Sequence, residues 1–220
     1  MQITVQGRAT ASFTPERATV HLTIGFDGSD KQRVLAEATA LANEFGAAVE
    51  QLRTQPDSPI TWSALLPVGT RSWRPYSDQG KVLPLRHSAS CQAKVKFRDF
   101  QALSRFVDAW GGRDGIAIGY VEWTLTEARR VREEDATLAR AVEEARRRAQ
   151  TMATAAGAGE VTFVELSDPG LLGGGRESQQ AYSAMAMRGK AMDSGGGEGV
   201  SLMPEDVELE ANVQARFEAN

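Results

Sequence analysis

The stretch Ala141-Val142-Glu143-Glu144-Ala145-Arg146-Arg147-Arg148-Ala149-Gln150-Thr151-Met152-Ala153-Thr154-Ala155-Ala156-Gly157 decides how this chain is read. Ala141, Ala145, Ala149 and Ala153 recur every fourth residue and Gly157 closes the series. On a helix these positions form one smooth ridge of small side chains that another element can approach closely. The pattern predicts a helix over 126–157, and Val161 to Leu166 reads as a strand directly after it. Val131, Leu138, Val142 and Met152 extend the apolar face, and Asp135 interrupts it. The opposite face carries Glu143, Glu144, Arg146, Arg147 and Arg148, with Glu143–Arg147 and Glu144–Arg148 spaced for i,i+4 pairs. It reads as a solvated back, so only one side of the helix is buried.

Working outward, the remaining elements follow from two periods. Ala18, Val20, Leu22, Ile24 and Phe26 alternate with Arg17, Thr19, His21 and Thr23, the signature of a half-buried strand. Ile3 and Val5 make a short strand that Gly7 is expected to end. His87, Ala89, Cys91, Ala93, Val95 and Phe97 form one face of another strand, and Val207, Leu209, Ala211, Val213, Ala215 and Phe217 one face of a last strand. Ile60–Val68 and Ile116–Thr126 are also extended in pattern. Helical spacing runs from about Asp30 to Arg53 (Val34, Leu35, Ala38, Leu41, Ala42, Phe45, Ala48, Val49, Leu52), a length of about 36 Å. Ser29 or Asp30 can cap it, and Gly46 weakens it. Asp99 can cap a shorter helix carrying Phe100, Leu103, Phe106, Val107 and Trp110, stopped by Gly111-Gly112.

The order is therefore β-β-α-β-β-α-β-α-β-β. Period-2 strands with one polar face imply antiparallel or mixed sheets covered by helices on one side: an α+β fold with two long helices and one shorter one. The chain of 220 residues reads as one domain, residues 1–220, or one domain of two lobes. At this size roughly 70% of the unfolded surface can be buried. An apolar share of 41% and a charged share of 25% are ordinary for a globular protein. The net charge of −4, with both signs interspersed, gives no footprint for nucleic acid or an anionic membrane. No run approaches the roughly 18 apolar residues of a membrane span. The first residues lack the basic and apolar regions of a secretory signal, so the expectation is a cytoplasmic protein.

The residue pattern offers little chemistry. His87 and Cys91 are four apart on one strand, about 13 Å, too far to share a metal, and their face is the apolar one. His21 lies on the polar face of its own strand. No serine sits in a nucleophile elbow, and Gly173-Gly174-Gly175-Arg176-Glu177 lacks the ending of a phosphate loop. Glu133–Glu134 and the pair Glu208 and Glu210 have no visible acid–base partner. The alternation around Cys91 predicts a buried, inert thiol. No catalytic residue, cofactor or metal ligand is assigned.

Two segments stand apart. Thr70 to Pro84 holds Trp73, Pro75, Tyr76 and Gly80 and reads as a hairpin tip or loop. Residues 169–204 hold nine glycines and four of the chain's six methionines, with no surviving period, and read as a long loop within the domain. Trp73, Tyr76, Tyr182, Met185, Met187 and Met192 are the candidate contacts for a partner or a second copy, since aromatic and methionine side chains adapt well to such surfaces.

The chain resembles the SIMPL-domain family of bacterial periplasmic and surface proteins. The match rests on Ala141-x3-Ala145-Arg146-x2-Ala149-x3-Ala153-x3-Gly157, then Val161-x3-Glu165. Val5-x-Gly7 with Pro15 before the alternating strand is similar to the family's opening. So are Asn43 in the first long helix, Leu66-Pro67 after the next strand, and a Met/Gly loop before a strand opening near Met203-Pro204. Leu85-Arg86-His87 departs from the family's usual Gly-Tyr. The resemblance implies subunits that join into ring- or channel-like homo-oligomers, without enzymatic activity and with a stress-related role. Two alternatives are a signalling adaptor that binds a protein through 70–86 and 169–204, and an enzyme or ligand-binding protein.

Overall fold

The computed structural model describes residues 1–76, 82–171 and 202–220. In chain order the elements are β1 (Gln2–Phe13), β2 (Arg17–Gly28), α1 (Lys31–Arg53), β3 (Ile60–Leu65), β4 (Gly69–Trp73), β5 (Arg86–Phe97), α2 (Phe100–Gly111), β6 (Ile116–Thr124), α3 (Glu127–Ala155), β7 (Val161–Ser167) and β8 (Val207–Ala219). All strand pairs are antiparallel. The α+β class, the two long helices and the shorter one are as the sequence pattern implies. The addition is β4, which lies inside the segment read as a hairpin tip. β3 and β4 follow one another along the same side of β5, Leu65 opposite Ala93 and Gly69 opposite Ser90. Pro67 sits in the gap, where it has no N–H to give the ladder.

The elements gather into two compact units. The first holds the three-stranded sheet β1-β8-β7, and α3 packs on β1 and β8. Its core is Ile3, Val5, Val213, Ala215 and Phe217 against the ladder Ala141, Ala145, Ala149 and Ala153, every rung fully buried. Thr137 continues the ladder one turn earlier; its hydroxyl donates to the Glu133 carbonyl at 2.7 Å, so the buried oxygen is satisfied. Val131, Leu138 and Met152, placed by the sequence pattern on the buried face, are exposed. A ridge of methyl groups lets the helix axis approach too closely for larger side chains to fit beneath it, so they are displaced to the flanks.

That close approach explains Gly7. The glycine does not end β1, as its type suggested; it sits in mid-strand opposite Val213, and β1 continues to Phe13. A Cβ built on Gly7 would lie 2.0 Å from the Ala141 carbonyl oxygen. The helix backbone occupies the space a side chain would need. Gly157, at φ 75°, then turns the chain out of α3.

On the solvated back of α3 Arg147 pairs with Glu144 at i,i+3 rather than with Glu143. Arg130 joins Glu127 and Glu134. The hydrogen bonds from these arginines hold the Glu127 and Glu144 carboxyls below their usual range. Such support exists above the ordinary carboxylate pKa and fades as the pH falls through the depressed value; in exposed pairs it is small.

The second unit holds the five-stranded sheet, order β3-β5-β2-β6 with β4 beside β3's end of the path on β5. Asp30 caps α1 by accepting from the Gln32 and Arg33 N–H groups, and Asp99 caps α2 from Gln101 and Ala102. Both helices cover one face, where Val20, Ile24, Val95 and Phe97 meet Phe45, Leu103, Phe106 and Trp110. Phe45 meets Trp110 edge-on at 4.9 Å between ring centroids and Phe106 at 5.8 Å. A Cβ on Gly46 would meet only Leu65 Cδ2, at an ordinary 3.5 Å. Gly46→Ala is therefore expected to raise the stability of α1 by about 0.5–1 kcal/mol, read as a higher urea midpoint at unchanged m-value.

Candidate functional site

The polar residues of β2, β5 and β6 turn to the face of the five-stranded sheet opposite α1 and α2. Because the strands alternate, every residue between the core positions lands there. The register sets two rows across the strands. One reads Trp62, Lys96, Thr19, Glu122; the next reads Ala64, Lys94, His21, Tyr120. A bulge between His21 and Leu22 ends the second row's regular pairing on β6. His21 and Tyr120 stack with ring centroids 4.2 Å apart and planes 13° apart. His21 Nε2 lies 3.2 Å from Glu122 Oε2. His21 is thereby largely covered, its side chain 15% exposed, while Tyr120 is 59% exposed and Trp62 48%. Lys94 and Lys96 are half-buried, and neither makes an ion pair among the described residues.

His87 is a correction to the alternation rule. Only from Ala89 onward is that face of β5 buried; His87 is partly exposed at the strand end. Its register partner Gly28 has no side chain to cover it, and its Nδ1 lies 2.7 Å from the Ser72 hydroxyl oxygen. Cys91 is buried in the core, as expected, and burial pushes its thiol above the usual range. The two histidines stay on separate faces, and each has its own partner. Among the described residues no three His, Cys, Asp or Glu side chains gather at metal-binding range. Two of the depressions among the described residues, both open to solvent, are lined in part by polar side chains. One, about 200 Å³, is lined by Gln6, Arg8, Glu144, Arg148 and Asn212, and the other, about 260 Å³, by Thr23, Asp27, Ser90 and Gly115 among others.

Of the candidate contact residues, Trp73 ends β4 opposite Arg86 and is half-buried, and Tyr76 is 89% exposed. Among the described residues the two rings make no stacking or edge contact with each other. Tyr182, Met185, Met187 and Met192 lie outside the described residues. Sequence reasoning missed a different surface. On β7, Phe163, Val164 and Leu166 are each about half exposed, at 45%, 52% and 49%. β7 is an edge strand with a bulge between Phe163 and Glu165. α3 lies mainly over β1 and β8 and reaches β7 at Val161, which is buried, leaving Phe163 to Leu166 uncovered. The signal was available as three apolar residues in four, a pattern that no one-sided strand shows.

These features define an α+β protein of antiparallel sheets, with a polar sheet face and an apolar strand edge as its distinctive surfaces. The chain belongs to the SIMPL family: residues 3–217 match the family model described as a protein of unknown function (DUF541). No curated protein matches it. No helix among the described residues is long and apolar enough to cross a membrane.

Proposed function

We propose that this protein is a non-enzymatic, self-assembling member of its family, whose copies join into a ring- or channel-like homo-oligomer. The observation that supports this reading is the edge strand β7, with Phe163, Val164 and Leu166 half exposed along it. An edge presents unpaired backbone N–H and C=O groups, and an apolar edge is a template for another strand. Proteins protect such edges with charge or proline; β7 has only Glu165, already engaged by Arg216 at 2.9 Å, and one bulge. The sheet ends in two unlike strands, β1 and β7. Adding β7 of one copy to β1 of the next is a head-to-tail contact, the kind that closes rings when its rotation permits.

Size-exclusion chromatography with light scattering tests this at tens of micromolar, where the reading expects one closed species larger than a monomer. Phe163→Glu and Leu166→Lys are expected to shift it to monomer with an unchanged circular dichroism spectrum. A strict monomer for the unaltered chain would remove the proposal.

A second reading, an adaptor that binds a protein partner through 70–86 and 169–204, is favoured by the exposure of Tyr76 and Leu85 within the first of these segments. It expects pull-down profiles to change when Tyr76 is replaced by serine, with assembly unaffected.

A further inference from the structure

We propose that the outer face of the β3-β5-β2-β6 sheet binds single-stranded nucleic acid, with Lys94 and Lys96 on phosphates and Tyr120 and Trp62 against bases.

Three observations converge on this surface. The first is its charge. Lys94 and Lys96 stand on adjacent rows of β5, two residues apart and on the same side, with half-buried stems and no ion-pair partner among the described residues. Several arginines elsewhere are held by carboxylates, for example Arg33 by Glu37, Arg113 by Glu44 and Arg216 by Glu165, whereas these two lysines lie side by side on one sheet face with none in contact. The nearest acid in the rows, Glu122, faces His21 instead. The face thus carries two lysines without a contact ion pair against one carboxylate, Glu122, a small local excess of positive charge.

The second is the rings. Tyr120 is held on one side by the His21 ring, and more than half of its surface remains open. Trp62 is half exposed at the other end of the row that contains Lys96. Three strand spacings separate β3 from β6, about 14 Å. The two rings thus bracket the lysines across the width of the sheet. Burying these rings against a base on binding is favourable.

The third is shape. α1 and α2 lie on the other face of the sheet, and all its buried apolar strand residues point to them. Four strands side by side are about 14 Å across between the outer two, wider than the roughly 12 Å major groove of a duplex, and base faces in a duplex are hidden. An unstacked strand offers what this face can use: a phosphate chain for the cations and flat rings for the aromatics. An acidic peptide would satisfy Lys94 and Lys96 but leave Tyr120 and Trp62 without a role. Chain-wide charge gives no sign of the site because the lysines are two among many charges, and the net −4 reflects carboxylates elsewhere.

Fluorescence anisotropy of a labelled oligo-dT or oligo-U of about a dozen nucleotides, titrated with the full chain over a range of salt, tests the proposal. Binding is expected in the micromolar range at low salt. With two lysines on phosphates, log K should fall against log salt with a slope of about −1.4. Lys94→Gln and Lys96→Gln should each weaken binding and remove about 0.7 from that slope. Tyr120→Thr and Trp62→Ser should each weaken binding at least about fivefold with the slope unchanged, and Trp62→Phe should restore it. Should Tyr120→Thr fail to fold, Tyr120→Leu keeps the bulk without the ring and makes the same distinction. No binding at roughly 100 times the micromolar range overturns the proposal. So does binding that heparin or poly-glutamate competes for equally well and that the ring variants leave unchanged, since the surface is then only a cationic patch.

Discussion

Gly7→Ala is expected to destabilise the β1-β8-β7 unit by more than about 3 kcal/mol, at the severe end for a single methyl group. The added Cβ would lie 2.0 Å from the Ala141 carbonyl oxygen and 2.8 Å from both the Ala145 nitrogen and Cβ. These obstacles are backbone atoms and a Cβ, so no rotamer change can relieve the clash. Relief requires α3 to rise off the strand, which opens gaps beneath Ala141, Ala145 and Ala149, all fully buried. Thr10→Ala, exposed on the same strand, is the control and should shift stability by less than about 0.5 kcal/mol. Urea unfolding followed by circular dichroism reads both. A Gly7→Ala protein within about 1 kcal/mol of the unaltered chain would show that α3 does not sit on β1 as closely as described.

Phe45→Ala carries the second large effect, about 3–5 kcal/mol. Phe45 is among the largest fully buried side chains, and it is the ring shared by Phe106 and Trp110. Its loss leaves a cavity between α1 and α2 that neither helix can close without leaving the sheet. Trp110 also reports on the change: its emission should shift to longer wavelength as water reaches the space, even under conditions where the protein remains folded. Leu35→Ala, nearly three turns earlier on α1 but exposed, should cost less than about 1 kcal/mol. If Phe45→Ala and Leu35→Ala prove equal, the core assignment of α1 is wrong.

Much of this fold was legible because its strands are one-sided. In β2, β5 and β8 the alternation alone names the core residues, and Asp30 and Asp99 mark two helix starts by chemistry that competes with nothing else nearby. The failures have physical causes. Gly7 was read by its usual effect on a strand, when its function is to admit a helix backbone, a long-range fact that no local window contains. Val131, Leu138 and Met152 were placed inward by hydrophobicity, although the alanines beside them fix an approach distance that excludes them. β4 shows no alternation because it is a strand edge finished by its partner β5. His87 followed its strand's period two residues ahead of Ala89, the first position on that face that is buried.

The candidate surfaces were less legible than the fold. The two rows on the outer sheet face join residues of β2, β3, β5 and β6, and only the register puts Lys96 beside Trp62 and His21 beside Tyr120. The β7 edge was visible as an apolar cluster, yet its exposure depends on where α3 lies across the sheet.

The pairing of β1 with β8 has a consequence for how the chain comes off the ribosome. Phe13 ends β1 and Val207 begins its partner, so β1 is synthesised early and waits for about 190 further residues before its ladder can form. At usual elongation rates that is roughly 10–40 s. During that interval the strands and helices between Arg17 and Thr124 have all their sheet partners at hand, while β1 is a tethered, unpaired strand with Ile3 and Val5 uncovered. β1 is thus made before every other strand of its sheet yet is among the last to be secured, and a stall or truncation anywhere before Val207 leaves it exposed to whatever strand it meets.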